Sequence, residues 1–198
     1  MKVPTAMLAG DLEFTARAAE PEELATSEAG FTALYRRHQP ALYRFALQMG
    51  ARPQIAEEVV QEVFLELIRR PGHFLPSQGT VRGYLFGMGR NLLRNYWRRH
   101  RGETSWDQLV SEPDDQGRAA LALDEQRDQG RQLRDLQIAL AALPWRYREV
   151  LVICDLQEIN YHEAARILGC RPGTVASRRH RGYKLLQSRL RRQRKEES

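Results

Sequence analysis

The sequence predicts an all-α protein of two small helical domains joined by a flexible linker, and three observations favour this fold. Apolar residues recur at helical spacing and almost never alternate with the period of a strand. Proline and glycine cluster between the periodic stretches. Residues 67–102 hold eight arginines and no acid, residues 103–130 hold eight acids, and residues 171–195 hold ten basic residues and no acid. Two basic blocks separated by an acidic span indicate two bodies with polyanion-binding surfaces.

The expected division of the 198 residues follows this charge pattern. We expect an acidic N-terminal tail at 1–28, a first domain at 29–102, an acidic linker at 103–130 and a second domain at 131–195. No secretion signal and no run of eighteen apolar residues is present, so we expect a cytoplasmic protein without membrane insertion.

The two cysteines, Cys154 and Cys170, are too few and too far apart for a zinc cluster. Each falls within an apolar pattern, so we expect two buried thiols that stay reduced. The sequence therefore predicts neither a metal nor a cofactor.

The first domain opens with two amphipathic helices. The first should start near Gly30, and Pro40 should bend or interrupt it. After a turn at Gly50–Pro53, a second helix is expected at Ile55–Arg70, with its apolar stripe toward the core. Because clustered acids repel nucleic acid, its polar face suits a protein partner with a positive surface, although a merely solvated face is the alternative. The candidate partner-binding residues on this face are Glu58, Gln61 and Glu62.

A third helix, expected from Val81 to Arg99, combines arginines at helical spacing with asparagines and interleaved aromatic residues. Arginines that follow phosphates, together with rings that stack on bases, are what an unpaired nucleic-acid strand requires. The alternative is that the aromatic side chains are mostly core and the arginines a solvated rim. The candidate residues of this surface are Arg90, Asn91, Arg94, Asn95 and Arg98.

The second domain is expected to end in a helix-turn-helix. Two helices should precede it, one that starts at Arg131 and ends before Pro144 and one formed by "WRYREVLVICDL". Asn160 should cap a short helix, with Glu163 as its capping-box partner. Gly169 should end that helix because it tolerates the positive φ that the turn requires, and the last helix should begin near Pro172.

In a helix-turn-helix, the N-terminal part of the second helix reaches base edges in the major groove. Leu168 and Val175 should share the core between the two helices, which turns the basic face outward. Arginine suits guanine or phosphate, and hydroxyl groups suit phosphate or either base edge. A plain helical hairpin with a basic surface is the alternative. The candidate duplex-reading residues are Thr174, Ser177, Arg178 and Arg181.

Three segments in this order resemble a bacterial RNA polymerase sigma factor of the extracytoplasmic-function (ECF) group. "AEEVVQEVFLELI" is similar to the segment that grips the clamp helices of core RNA polymerase. "TVRGYLFGMGRNLLRNYWRR" is similar to the segment that opens and reads the −10 promoter element, and "ALPWRYREVLVICDLQEINYHEAARILGCRPGTVASRRHRG" resembles the domain that reads the −35 element. The resemblance covers about Phe31–Arg101 and Asp135–Leu190. It identifies 29–102 as a sigma region 2-like domain and 131–195 as a region 4-like domain.

The resemblance implies a protein that is not an enzyme but gives the polymerase promoter recognition and promotes promoter melting. Its implied partners are the clamp helices and flap of core RNA polymerase, promoter DNA and, as is usual in this family, an anti-sigma factor. The loop Gly72–Gly79 would hold an extruded base. Glu58, Gln61 and Glu62 would contact the polymerase, Arg90, Asn91, Arg94, Asn95 and Arg98 would lie along the −10 DNA, and Thr174, Ser177, Arg178 and Arg181 would meet the −35 duplex.

Several positions depart from the family pattern. Glu58 stands where the family usually has Asp, and Val81 replaces a usual aromatic residue. Gly87 and Gly89 loosen the third helix by about 1 kcal/mol each. Arg179 falls on the apolar stripe of the last helix, where Leu is common, so it either snorkels or pairs with an acid.

Two rival functions differ in the surfaces they need. An ordinary two-domain regulator would bind duplex DNA, but it needs neither the acidic face nor the arginine-and-aromatic helix. A nucleic-acid enzyme would need a phosphate-binding glycine loop, paired metal-binding carboxylates or a nucleophile with its base. The sequence shows none of these motifs, and its five histidines are scattered singly.

Overall fold

The computed structural model describes residues 27–100 and 128–196, which are mostly helical and contain no strand. This confirms the all-α class with two helical domains. The predicted tail and linker lie outside the described residues, apart from positions 27–28 and 128–130. The helices are α1 Glu28–Gln48, α2 Pro53–Arg69, α3 Val81–His100, α4 Asp128–Ala141, α5 Trp145–Leu151, α6 Tyr161–Leu168 and α7 Pro172–Glu196.

Local sequence explains where α1 and α2 begin. The Oγ of Ser27 accepts a hydrogen bond from the N–H of Gly30 at 3.0 Å and so caps α1. Pro53 opens α2, at a position where an N–H would have no partner within the helix. The helix α1 continues through Pro40, so the proline does not interrupt it.

The core of the N-terminal domain lies where α1, α2 and α3 meet. Leu42 and Phe45 of α1 are fully buried, as is Leu85 of α3. The ring of Phe45 meets that of Phe86 edge-on, with 5.1 Å between centroids. A Cβ atom at Gly89 would lie 2.9 Å from Cδ1 of Leu42. Gly89 therefore lets α1 and α3 approach closely, which explains this departure from the family pattern.

The segment "WRYREVLVICDL" does not form one regular helix, because a π-helical turn at Val152–Leu156 follows α5. In its wider ring the N–H of Gln157 donates to the carbonyl oxygen of Val152 at 2.9 Å. The turn carries Asp155, whose carboxylate contacts α7. It therefore connects the two halves of the C-terminal domain.

The helix-turn-helix is built from α6 and α7. The Oδ1 of Asn160 accepts from the N–H of Glu163 at 3.0 Å, which confirms the predicted N-cap. Gly169 ends α6 with a φ of 64°, also as predicted, and Leu168 and Val175 are both buried. The prediction of a capping box is only partly correct, because the carboxylate of Glu163 binds the N-terminal domain.

The two domains lie against each other, an arrangement that the sequence did not indicate. Helix α3 packs on α6, and α1 contacts both α4 and the π-helical turn. Arg148 of α5 is fully buried and donates to the carbonyl oxygens of Leu143 at 2.8 Å and of Met49, just after α1, at 3.1 Å. The Nε2 of Gln157 donates to the Oε1 of Gln48 at 3.1 Å. Polar contacts thus join the end of α1 to the C-terminal domain.

Candidate nucleic-acid interface

The exposed side of α3 carries four of the five predicted residues. Asn91, Arg94, Asn95 and Arg98 are all exposed. Their spacing of three and four positions places them on one face of the helix. No acid occurs anywhere in α3, so this face has a positive field and amide groups, both of which suit a nucleic-acid strand.

Arg90 differs from its neighbours because it is only 9% exposed. Its Nε lies 2.8 Å from Oε2 of Glu149 in α5. Glu149 is itself 2% exposed and also accepts from the Nε1 of Trp145 at 2.9 Å. Arg90 therefore binds the C-terminal domain in this structure instead of facing solvent. The sequence contains one hint of this pair, because the charged residue Glu149 stands directly before an apolar run.

The aromatic residues of α3 divide between core and surface. Phe86 is buried, whereas Tyr96 and Trp97 are half-buried and pack edge-on with 5.2 Å between ring centroids. Tyr84 is half-buried beside Phe74, at 5.5 Å. Burial raises the pKa of Tyr84 above its ordinary value, so its hydroxyl stays protonated at neutral pH. The core alternative is therefore correct for Phe86, while the other three rings are only half-buried.

A cavity of about 280 Å³ lies beside α3 and includes the loop that was expected to hold an extruded base. His73 and Phe74 of that loop line the cavity together with Tyr84 of α3. Glu163 and Arg166 of α6 line it as well. Aromatic and polar walls of this kind suit a planar heterocycle. The cavity thus adjoins the arginine-and-asparagine face, but the C-terminal domain contributes part of its lining.

The exposed face of α2 carries the three predicted partner-binding residues, with Glu62 in a surface ion pair to Arg69 at 3.1 Å. Two apolar residues that the sequence analysis missed lie on the same face, namely Leu65 at 43% and Ile68 at 51% exposure. A helical wheel would have found them, because they follow Glu58 by seven and ten positions. Exposed apolar side chains beside acids are typical of a docking surface for another protein.

On α7, Ser177 and Arg181 are exposed, and Thr174 and Arg178 are half-buried. The Oγ of Ser177 donates to the carbonyl oxygen of Thr174 at 3.0 Å. The Nη1 of Arg178 lies 3.8 Å from Oε1 of Glu149. The guanidinium of Arg178 is therefore attracted toward α5, and the other three residues lie along the first three turns of α7.

Arg179 pairs with an acid, which is one of the two alternatives that the sequence predicted. Its Nε donates to Oδ1 and Oδ2 of Asp155 at 2.9 and 3.1 Å, and its Nη1 donates to the hydroxyl of Tyr161 at 2.7 Å. The hydroxyl of Tyr183 donates to the same carboxylate at 2.8 Å. Hydrogen bonding to Asp155 raises the pKa of both Arg179 and Tyr183. This cluster joins α6, α7 and the π-helical turn, and the sequence analysis had given Asp155 no role.

Within residues 27–100 and 128–196, no three His, Cys, Asp or Glu side chains are grouped as metal ligands. Cys154 and Cys170 are free thiols, but they are half-buried where buried thiols were expected. Burial raises the pKa of Cys154 to about 11, so its thiol stays protonated at neutral pH. No helix in the described part of the chain is both long and apolar enough to cross a membrane.

Comparisons with known proteins agree with this architecture. The family model "Sigma-70 region 2" matches residues 34–103, and "Sigma-70, region 4" matches residues 133–186. The ECF RNA polymerase sigma factor SigE of Mycolicibacterium smegmatis is 35% identical over 79% of this chain and 60% of its own length. The ECF RNA polymerase sigma factor EcfG of Rhodopseudomonas palustris is 31% identical over 76% of this chain and 80% of its own length. The chain thus spans less than two thirds of SigE but most of EcfG.

Solved structures share the fold. CnrH in complex with the cytosolic domain of CnrY has a TM-score of 0.63 and 23% identity, over 86% of this chain and 96% of CnrH. RpoE in complex with the anti-sigma factor NepR from Bartonella quintana has a TM-score of 0.61 and 24% identity, over 81% of this chain and 96% of RpoE. The fold, the matches to regions 2 and 4 and the identity to EcfG agree. This chain belongs to the ECF RNA polymerase sigma factors, which act in transcription initiation.

Proposed function

We propose that this ECF sigma factor binds core RNA polymerase, recognises the −10 and −35 promoter elements and promotes promoter melting. Sigma factors are DNA-binding regulators rather than catalytic enzymes, so its contribution is recognition. One observation carries the proposal: an acidic face on α2, a basic face on α3 and a basic helix-turn-helix follow each other in the family's order.

The polymerase contact is assigned to α2. Glu58, Gln61 and Glu62 would attract a positive surface on the clamp helices, while Leu65 and Ile68 would bury apolar area there. Charged residues steer association and apolar burial supplies affinity, so the two kinds of residue complement each other. The flap contact belongs to the C-terminal domain by resemblance.

The −10 contact is assigned to α3 and its cavity. Asn91, Arg94, Asn95 and Arg98 would follow the backbone and base edges of an unpaired strand, and the cavity would take an extruded base. Arg90 would join this row when it is released from Glu149. Because only unstacked bases can enter, binding favours the melted promoter and shifts the population toward it.

The −35 contact is assigned to the first turns of α7. Arg181 and Arg178 suit guanine edges or phosphates, and the hydroxyls of Thr174 and Ser177 suit phosphates or bases. Two modest DNA contacts on one tethered chain reinforce each other through effective concentration. An anti-sigma factor is a further proposed partner, since the similar RpoE structure contains one.

The decisive experiment mixes the purified chain with core RNA polymerase and follows co-migration in gel filtration, then transcription from genomic fragments. The wild type should form a stable complex, and a variant with Glu58, Gln61 and Glu62 all replaced by Arg should lose it. Glu158→Arg, a reversal at an exposed acid of the other domain, is the control and should still assemble. An unmodified chain that binds duplex DNA but never co-migrates with polymerase would favour the two-domain regulator.

A further inference from the structure

Helix α7 continues well beyond the part of it that the family model covers. The match to region 4 ends at residue 186, whereas α7 runs from Pro172 to Glu196, a length of about 37 Å. Residues 171–195 hold ten basic residues and no acid. The first turns of α7 are assigned to the −35 duplex, and the second half of the helix extends the same basic segment past them.

The buried side of α7 fixes the orientation of this second half. A Cβ atom at Gly182 would lie 3.2 Å from Cδ1 of Leu151, so α5 and α7 are in close contact there. Leu186 is buried, and Leu190 is half-buried against the same core. Helix α4 also contacts α7. Because Gly182, Leu186 and Leu190 follow each other at intervals of four residues, they lie on one side of the helix, and the opposite side faces solvent.

The solvent side of α7 carries a continuous row of polar side chains. Ser177 and Arg181, which are assigned to the −35 duplex, are followed by Lys184, Ser188 and Arg191, and all five are exposed. The successive intervals are four, three, four and three residues, which keeps the five side chains on one face of a helix. We call these five residues the α7 stripe.

The α7 stripe suits the phosphate backbone of DNA better than it suits a protein. Its three cations and two hydroxyl groups all bind phosphate oxygens. It contains no apolar side chain, whereas the centre of a protein interface is depleted of charge and enriched in apolar and aromatic residues. Duplex DNA is therefore the partner that its chemistry favours.

Distance along the helix separates the end of the α7 stripe from the base-reading residues. Arg191 lies ten residues after Arg181, which is about 15 Å along the axis, and the major groove is about 12 Å wide. Arg191 is thus too far along the helix to read the bases that Arg181 reads. The groups that its guanidinium can meet are backbone phosphates that flank those bases.

We propose that Lys184, Ser188 and Arg191 extend the DNA contact of α7 past the −35 element and bind phosphates of the flanking duplex. The inference rests on the proposed assignment of the first turns of α7 to the −35 duplex. It adds a contact that reads no bases, so it strengthens binding to every promoter by a similar factor. Because the contact releases counterions from the phosphates, it weakens as the salt concentration rises.

Two arginines of this segment provide a matched pair of variants. Arg191 is exposed on the α7 stripe, whereas Arg189 is half-buried and points about 160° away from it around the helix. R191Q and R189Q each remove one positive charge from the same turn, and each introduces a residue that favours a helix. R191Q should therefore lose a phosphate contact, and R189Q should not.

Binding of the full-length protein to a fluorescent duplex of about 30 base pairs and mixed sequence, between about 50 and 200 mM salt, measures the contact. R191Q should reduce the slope of log affinity against log salt by about 0.9, the value for one phosphate. K184Q/R191Q should reduce it by about 1.8, so the wild type should lose about tenfold more affinity over this range than the double variant. R189Q should keep a slope close to that of the wild type.

The variant R181A separates this inference from the assignment on which it rests. If R181A weakens binding while R191Q and K184Q/R191Q behave like the wild type, the inference is overturned and the −35 assignment stands. Equal slope changes for R189Q and R191Q would also overturn it, because a diffuse positive field would then attract the duplex. If R181A and K184Q/R191Q both bind like the wild type, or if the wild type binds no duplex at about 50 mM salt, the −35 assignment of α7 fails as well.

Co-migration with core RNA polymerase tests a protein partner for the same residues. K184Q/R191Q should still form the complex in gel filtration, because the α7 stripe faces DNA. A double variant that loses the complex but binds the duplex with the wild-type slope would assign the α7 stripe to a protein and overturn the DNA contact.

Discussion

At the scale of single residues, buried and half-buried arginines connect the elements of the structure. Arg179 stands on an apolar stripe, yet it binds Asp155 with two Nε contacts at 2.9 and 3.1 Å. Arg148 stands in a mixed stretch between Tyr147 and Glu149, yet it is fully buried against backbone carbonyl oxygens. Periodicity alone could not place either residue, because each partner lies in another element or beyond a turn.

Removing the Arg179 side chain should loosen the helix-turn-helix. R179A leaves Asp155 without its cation in a half-buried site, so we expect the free energy of unfolding to fall by about 1–2 kcal/mol. Urea denaturation followed by circular dichroism measures the loss. R171A, at an exposed arginine just before α7, serves as the control and should change stability little. Equal stability of the two variants would contradict a connecting role for the cluster.

His38 of α1 should make stability depend on pH. Burial, followed by the nearby charges of Arg37 and Arg82, lowers its pKa from the ordinary 6.5 to about 4. Between about pH 6.5 and 4 the unfolded chain therefore binds a proton that the folded chain does not. The contribution is full above pH 6.5 and is lost as the pH falls toward 4.

The variant H38Q isolates this effect. Between about pH 7.5 and pH 5 the wild type should lose about 1 kcal/mol more stability than H38Q, a modest figure because the imidazole is only half-buried. H162Q, at an exposed histidine of α6, is the matched control and should behave like the wild type. An identical pH profile for wild type and H38Q would rule the effect out.

At the scale of helices, patterning and capping predicted most of what was found. The expected bounds of α2 and α3 differ from the observed ones by one or two residues, and the caps at Asn160 and Gly169 are correct. The π-helical turn after α5 had no signal, because its apolar residues fit a regular helix equally well. The exposed Leu65 and Ile68 were readable on a helical wheel but were obscured by the acids around them.

The apolar part of the α2 face should contribute to polymerase binding. L65S/I68S should weaken the complex with core RNA polymerase about tenfold or more, because two side chains would no longer bury apolar area there. Both residues are exposed in the free chain, so its melting temperature should change little. L156S removes an apolar side chain of equal exposure, 43%, from outside the α2 face and should weaken the complex much less than L65S/I68S does. Unchanged binding by L65S/I68S would remove these residues from the interface.

At the scale of the whole molecule, the sequence predicted two bodies but not how they meet. The contact depends on pairs far apart in the chain, such as Arg90 with Glu149 and Thr80 with Glu163, separated by 59 and 83 positions. Periodicity is a local signal and cannot register such pairs. The residues of the candidate −10 surface therefore remain a prediction from the sequence, and the burial of Arg90 could not have been predicted from it.

A higher salt concentration should weaken DNA binding but leave the contact between the two domains intact. Phosphate contacts weaken steeply with ionic strength, whereas a buried ion pair is screened little, and Arg90 and Glu149 have side chains only 10% and 3% exposed. Between about 50 and 300 mM salt, affinity for duplex or single-stranded DNA should therefore fall while the scattering profile of the free chain stays constant. A chain that expands over this range would show that screened surface charges hold the domains together.

The position of Arg90 also limits how this protein can change under selection. A substitution there that altered promoter preference would at the same time alter how tightly the chain folds onto itself, because Glu149 holds the same guanidinium. Glu149 does not hold Asn91 or Asn95, since both side chains are exposed on the outer face of the helix. New promoter preferences should accordingly arise first at the asparagines, with Arg90 the last of the row to vary.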